Sequence, residues 1–195
     1  MEMPEPRARV LARKAEIVAR LQAVLPAHAV IHDPAEVRAY ECDALTAYRC
    51  PPLAVALPTT TAEVAAAMRV CHRLGVKVVP RGAGTSLAGG ALPTADSVII
   101  GTMRLREVLE IDTANRFIRV QTGRTNLSIS AAVEEADFFY APDPSSQLAC
   151  AIMGYQHDDA AHQRHVRGAE SRCGQEEFGG AAVDSAVCSV RGGGE

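Results

Sequence analysis

Apolar residues recur at helical spacing through the first 25 positions and then give way to short, unbroken runs. Val10, Leu11, Ile17, Val18, Leu21 and Leu25 make one stripe over about 6–25, with Arg and Glu opposite, and predict an amphipathic helix. Leu53 to Leu57 is continuously apolar and predicts a short buried strand. Thr61 is the expected N-cap of a helix over about 62–74, and Gly75 ends it. Val76 to Val79 and Ser97 to Gly101 predict two more strands, and the β–α–β spacing implies a small parallel unit. Further on, Leu105, Val108 and Leu109 share a helical face, so Arg104 to Glu110 reads as a short helix or turn. Glu110 to Asp112 and Phe117 to Gln121 flank Thr113-Ala114-Asn115-Arg116, a hairpin-like connection in which Asn115 suits a positive φ. Asn126 to Ala136 reads as a helix with Thr125 as N-cap. This second set begins a separate lobe, and the expected fold class is α+β with two α/β lobes.

The strand at Val76 to Val79 runs directly into Pro80-Arg81-Gly82-Ala83-Gly84-Thr85-Ser86-Leu87-Ala88-Gly89-Gly90-Ala91. Glycines permit φ > 0 and let a backbone approach a ligand closely. Successive N–H groups then converge on one anion. The loop holds no acidic residue, so nothing within it repels a phosphate. Spacing excludes two common phosphate loops. A G-x-G-x-x-G fingerprint needs glycine where Leu87 stands, and a Walker A loop needs Lys and Ser or Thr where Gly90 and Ala91 stand. Arg81 either pairs with a phosphate or braces the loop. A second segment, Tyr140-Ala141-Pro142-Asp143-Pro144-Ser145-Ser146-Gln147, is stiffened by two prolines. It reads either as a ligand-facing turn or as an ordinary turn with Ser145 or Ser146 capping a helix.

Composition narrows the classes. The 195 residues have a formal net charge of −3, which gives no electrostatic footprint for nucleic acid, and aromatics at 4% with no Trp disfavour a base-stacking platform. No stretch approaches the ~18 apolar residues of a membrane helix. Glu2, Glu5 and Glu16 among the N-terminal basic residues argue against a leader peptide, so a cytoplasmic location is expected. The six cysteines form no C-x-x-C pair and read as reduced thiols, with Cys42 and Cys71 as packing residues. His157, His162, His165, Cys150 and Cys173 match no standard zinc spacing, and no metal is expected.

In chain order, Leu57-Pro58, the glycine loop, Val120-Gln121-Thr122-Gly123 and Tyr140 to Ile152 together resemble the FAD-binding domain of the PCMH-type flavoproteins of the vanillyl-alcohol-oxidase superfamily. Tyr40, Asp43, Ala44, Pro52 to Pro58 and Thr61 to Val64 fit the lead-in. The chain is most similar to the group of glycolate oxidase D subunits and FAD-linked D-lactate dehydrogenases. The resemblance implies a small β–α–β lobe and the start of a larger mixed-sheet lobe, with FAD between them. Pro80, Arg81, Gly82, Ala83, Gly84, Thr85, Ser86, Leu87, Gly89 and Gly90 are then expected around the FAD pyrophosphate. Pro142, Asp143, Pro144, Ser145 and Ser146, with Gly154 after them, are expected along the flavin. Non-covalent attachment is expected, since no histidine lies in these motifs.

The implied activity is oxidation of a small 2-hydroxy acid, of the glycolate or D-lactate type, by hydride transfer to flavin, with other oxidase subunits as partners. No residue here matches a catalytic base, because the family's catalytic histidines come later in its chain. The alternatives are a non-catalytic flavin-binding or subunit-interaction protein, docking through its basic N-terminal helix, and an inactive gene fragment. From Tyr155 the composition shifts and the family's Gly-Gly-Asn continuation is missing. The expected division is an N-terminal helical segment at 1–39, a partial FAD-binding domain at 40–154, and a tail at 155–195 foreign to the family, without regular structure, of which a shifted reading frame is the simplest source.

Overall fold

The computed structural model describes residues 3–140, 148–149, 151–152 and 185–192. It divides into two compact units, residues 1–104 and 105–195.

The first unit is a four-stranded sheet with helices packed on it. The strands are β1 (Val30–Ile31), β2 (Ala54–Ala56), β3 (Lys77–Arg81) and β4 (Ser97–Gly101), in the order β1-β2-β4-β3. β2, β4 and β3 are parallel, and β1 is antiparallel to β2. β4 is the central strand and is buried along its whole length, as its Ser-Val-Ile-Ile-Gly run demands. Val37, Val55, Leu57 and Ile99 form the core cluster on the sheet. β3 lies at the edge, which is why Pro80 is tolerated inside it despite lacking an N–H.

The N-terminal stripe forms two helices, α1 (Ala8–Leu11) and α2 (Lys14–Gln22), in place of the single predicted one. The helix after β2, α3 (Thr61–Leu74), starts one residue earlier than predicted, because Thr60 is its N-cap and accepts from the Glu63 amide (3.2 Å). Glu63 Oε2 in turn accepts from the amide of Thr59 (2.7 Å), the residue before the cap. Val64, Ala67 and Cys71 point inward at helical spacing, and Gly75 closes the helix in the left-handed region at φ 63°. Burial pushes the Cys71 thiol up to about 11, in keeping with the packing role expected of it.

The second unit has a three-stranded antiparallel sheet, order β5-β6-β8, formed by β5 (Val108–Asp112), β6 (Phe117–Gln121) and β8 (Ser185–Ser189). α4 (Asn126–Val133) follows β6, and the short strands β7 (Phe138–Phe139) and β9 (Arg191–Gly192) pair with each other. Ile118, Val120, Ile129, Val133, Ile152 and Val190 make its core. Three expectations change here. Residues 104–110 form no helix; the chain turns at Met103–Arg104 and enters β5, with a bulge between Val108 and Glu110. In the hairpin the positive φ falls on Arg116 (56°), while Asn115 binds Asp112 through its amide (2.8 Å) and its side chain (2.7 Å). β8 and β9 lie within 155–195, where no element was expected; β8 has only Val187 as a β-branched residue and forms by pairing with β6 along its length.

Candidate functional site

The glycine loop leaves the carboxyl end of β3, beside the carboxyl end of β4, with Arg81 paired to Gly101 in register. In open parallel sheets this is the end where ligands bind. Arg81 is 8% exposed. Its Nη1 donates to the carbonyl oxygens of Cys42 (2.7 Å), Ala91 (3.4 Å) and Tyr40 (3.5 Å), and its guanidinium carbon stands 5.7 Å from the centroid of the Tyr40 ring. Burial pulls the guanidinium below its ordinary value, while the nearby Cys42, Asp43 and Tyr40 push it up. A guanidinium so placed keeps its charge. Of the two roles left open by the sequence, Arg81 takes that of a brace: it ties both limbs of the loop to the segment at 40–42.

Gly84 shows why that brace needs glycine. Its φ is 73°, and an added Cβ there would run into the Arg81 guanidinium, 2.7 Å from Cζ. Gly89 also lies in the left-handed region, at φ 76°, while Cβ positions on Gly89 and Gly90 meet little or nothing. Among the described residues, Ser86 Oγ takes up the Ala88 amide (3.2 Å), and the amides of Gly84, Leu87, Gly89 and Gly90 have no protein acceptor. The loop therefore presents unused donors where the missing side chains leave room. Gly82 is buried at its base, Ala83, Thr85 and Ser86 are half-buried, and Leu87 is 70% exposed at its tip. Pro80 stands outside the loop, in the edge strand.

Sequence reasoning singled out no role for three buried polar residues. Asp96 is enclosed by Arg7, Lys77 and Thr94. Asp43 is 4% exposed; its Oδ1 accepts from the Leu45 amide (2.9 Å), and its buried Oδ2 has no partner among the described residues. Asn126, the first residue of α4, is 1% exposed, and neither atom of its side-chain amide is paired among the described residues. Asp and Asn are common turn and cap residues, so their burial gave no signal in the sequence. Pro142, Asp143, Pro144, Ser145, Ser146 and Gly154 lie outside the described residues.

A parallel sheet carrying an arginine-braced, donor-rich glycine loop at its carboxyl end defines a nucleotide-binding domain. Comparison with known proteins makes the class specific. The FAD binding domain family matches residues 52–169, and the chain belongs to that family. The match reaches beyond residue 154, where the recognisable motifs stop. Over 141 residues the chain is 47% identical to glycolate oxidase subunit GlcD of Escherichia coli (strain K12), covering 72% of this chain and 28% of that protein. Over 152 residues it is 30% identical to the D-2-hydroxyglutarate dehydrogenase of Xanthomonas citri pv. viticola, covering 78% of this chain and 32% of that one. The chain thus spans about a third or less of these relatives. Among solved structures, alkyldihydroxyacetonephosphate synthase superposes with a TM-score of 0.74 at 17% identity, over 98% of this chain and 42% of that one, which shows the shared fold.

The residues present fit FAD. A pyrophosphate needs N–H donors, close backbone approach and no competing negative charge in the loop. Gly84, Leu87, Gly89 and Gly90 offer the donors, Gly89 and Gly90 offer the room, and residues 80–91 contain no Asp or Glu.

Proposed function

We propose that this chain holds the FAD of an oxidoreductase acting on a small 2-hydroxy acid of the glycolate or D-lactate type. The braced glycine loop with unused amides carries the cofactor part of this reading. The 47% identity to a glycolate oxidase subunit supports the substrate class. FAD, when bound, accepts a hydride from the α-carbon of such a substrate. The work of this chain is to bind and orient. The loop amides at Gly84, Leu87, Gly89 and Gly90 take the pyrophosphate oxygens, with Gly82, Ala83, Thr85 and Ser86 forming the loop's base and wall. Arg81 fixes the loop shape through three carbonyls and lends it a positive field. Pro142, Asp143, Pro144, Ser145, Ser146 and Gly154 are proposed to line the flavin. Other oxidase subunits are proposed as partners, in line with the word subunit in the relative's name.

The D-2-hydroxyglutarate dehydrogenase relatives favour a second reading, in which the substrate is a 2-hydroxy dicarboxylic acid. The visible spectrum of the purified chain, mixed with FAD and passed through gel filtration, tests the cofactor step. A flavin band near ~450 nm in the protein peak supports it, and a colourless peak contradicts it. Anaerobic addition of glycolate, D-lactate or D-2-hydroxyglutarate then compares the substrates by which one bleaches the band; bleaching by D-2-hydroxyglutarate alone favours the second reading.

A further inference from the structure

α2 packs on α3, and an open groove of about 310 Å³ lies between residues 20–24 and 70–74. Ala23, Val24, Val70 and Leu74 line it with apolar surface, and Arg20 and Arg73 are the charged residues in its wall. Val24 is exposed there, while Val70 and Leu74 are half-buried and form a recessed floor. One turn back along α3, a second hollow lined by the exposed Met68 and by Arg69 shares Arg73 with the first. The wall of neither hollow contains Asp or Glu. The acids of the two helices are engaged elsewhere: Glu16 by Arg13 (2.8 Å), and Glu63 by the Thr59 amide (2.7 Å) at the head of α3. The charge of Glu16 reaches Arg20 without forming an ion pair. Among the described residues, the side chains of Arg20, Arg69 and Arg73 have no hydrogen bond or ion pair. Three exposed guanidiniums thus surround an apolar hollow, with their donors unused.

A guanidinium presents a planar fork that matches a carboxylate, and an apolar hollow is filled by an apolar side chain. Both demands are met by a protein segment in which apolar residues are flanked by Asp or Glu. A flat anionic surface would meet the arginines but leave the recessed floor unfilled. We propose that the groove between α2 and α3 docks an acidic amphipathic helix of a partner protein. The inference deepens the reading that other oxidase subunits are partners, and rests on that reading for the identity of the docked protein. It is separate from the cofactor reading, because this end of α3 leads into the amino end of β3, whereas the glycine loop leaves the carboxyl end.

The test places the photo-crosslinker benzoylphenylalanine at Val24 of the full chain, in the cells that make it, and maps the crosslinked peptide by mass spectrometry. Ala62, exposed at the head of α3, is the control position. The expected product joins position 24 to a segment of another protein in which Asp or Glu flank apolar residues, and position 62 does not give it. Arg20→Glu combined with Arg73→Glu should cut the yield about tenfold, because two reversed charges repel the acidic partner. Arg20→Gln with Arg73→Gln should cut it by a smaller factor, since an exposed ion pair contributes little. Both pairs should keep the far-UV circular dichroism of wild type; should the Glu pair fail to fold, the Gln pair carries the test. The proposal is overturned by no crosslink at position 24, or by one to lipid, to a second copy or within the chain itself. A yield that charge reversal leaves unchanged overturns it too. A charge-sensitive crosslink to an acidic segment of a protein that is not an oxidase subunit supports the groove and overturns the subunit reading.

Discussion

The two ends of the parallel pair β3 and β4 solve the same problem differently. At the amino end stands Asp96, its side chain fully enclosed. Oδ1 accepts from Thr94 Oγ1 (2.8 Å) and Lys77 Nζ (3.1 Å), and Oδ2 from Arg7 Nε (2.7 Å) and the Arg7 amide (3.3 Å). Burial pushes this carboxyl up, but the bonds from Arg7, Thr94 and Lys77 outweigh it and hold the group well below the usual carboxylate range. Both oxygens are filled, and the node stitches the N-terminal segment to the sheet. At the carboxyl end a buried arginine likewise gathers distant backbone, yet among the described residues several loop amides, those of Gly84, Leu87, Gly89 and Gly90 among them, have no protein acceptor. The enclosed Asp96 carboxylate serves the architecture, whereas the open amides of the glycine loop are proposed to serve a ligand.

Substitutions at each end sharpen that contrast. The largest effect is expected from Arg81→Ala, which strips three carbonyls of their donor: about 3 kcal/mol of stability in urea titration, with FAD lost on gel filtration. Arg81→Lys should not restore retention, because a single ammonium lacks the planar fork. Asp96→Asn is expected to cost about 2 kcal/mol, held down by the partial exposure of Lys77 and Arg7, while FAD affinity stays within about twofold of wild type. A matching loss of affinity would erase the distinction between the ends.

The same carboxylate sets a pH dependence. Its folded-state value is depressed, so its contribution is fully present above the unfolded value of about 3.9 and is lost as pH falls toward the folded one. Acid titration of stability below about pH 4 should show this loss in wild type and a shallower slope in Asp96→Asn. Gly84→Ala should cost about 1–2 kcal/mol and weaken FAD about tenfold, since it forces a strained φ and displaces Arg81. Gly75→Ala has the same kind of positive φ but open space, and should cost about 1 kcal/mol with no change in FAD binding.

What could be read from the chain follows from how local each signal is. The β2–α3–β3–β4 order, the Gly75 cap and the place of the glycine loop after β3 all rest on contiguous residues, and the structure has them where the pattern predicted. The brace role of Arg81 depends on carbonyls 39 and 41 residues upstream, so the sequence left two roles open. β1 is two residues long and takes its register from β2. Residues 104–110 were misread because Leu105, Val108 and Leu109 share a helical face, whereas pairing with β6 fixes the extended form. β8 was missed because its context is glycine-rich and polar; it forms by pairing with β6 across more than sixty positions of chain. The family membership was legible from the glycine loop and the lead-in together, where neither fixes a cofactor alone.

The claim that the glycine loop is the cofactor's phosphate cradle is tested most directly by amide NMR of the chain titrated with FAD. The account predicts that the amides of Gly84, Leu87, Gly89 and Gly90 shift and gain exchange protection, while those around the self-satisfied Asp112–Phe117 turn stay as they were. FAD binding that leaves the amides of 84–90 unmoved would contradict it.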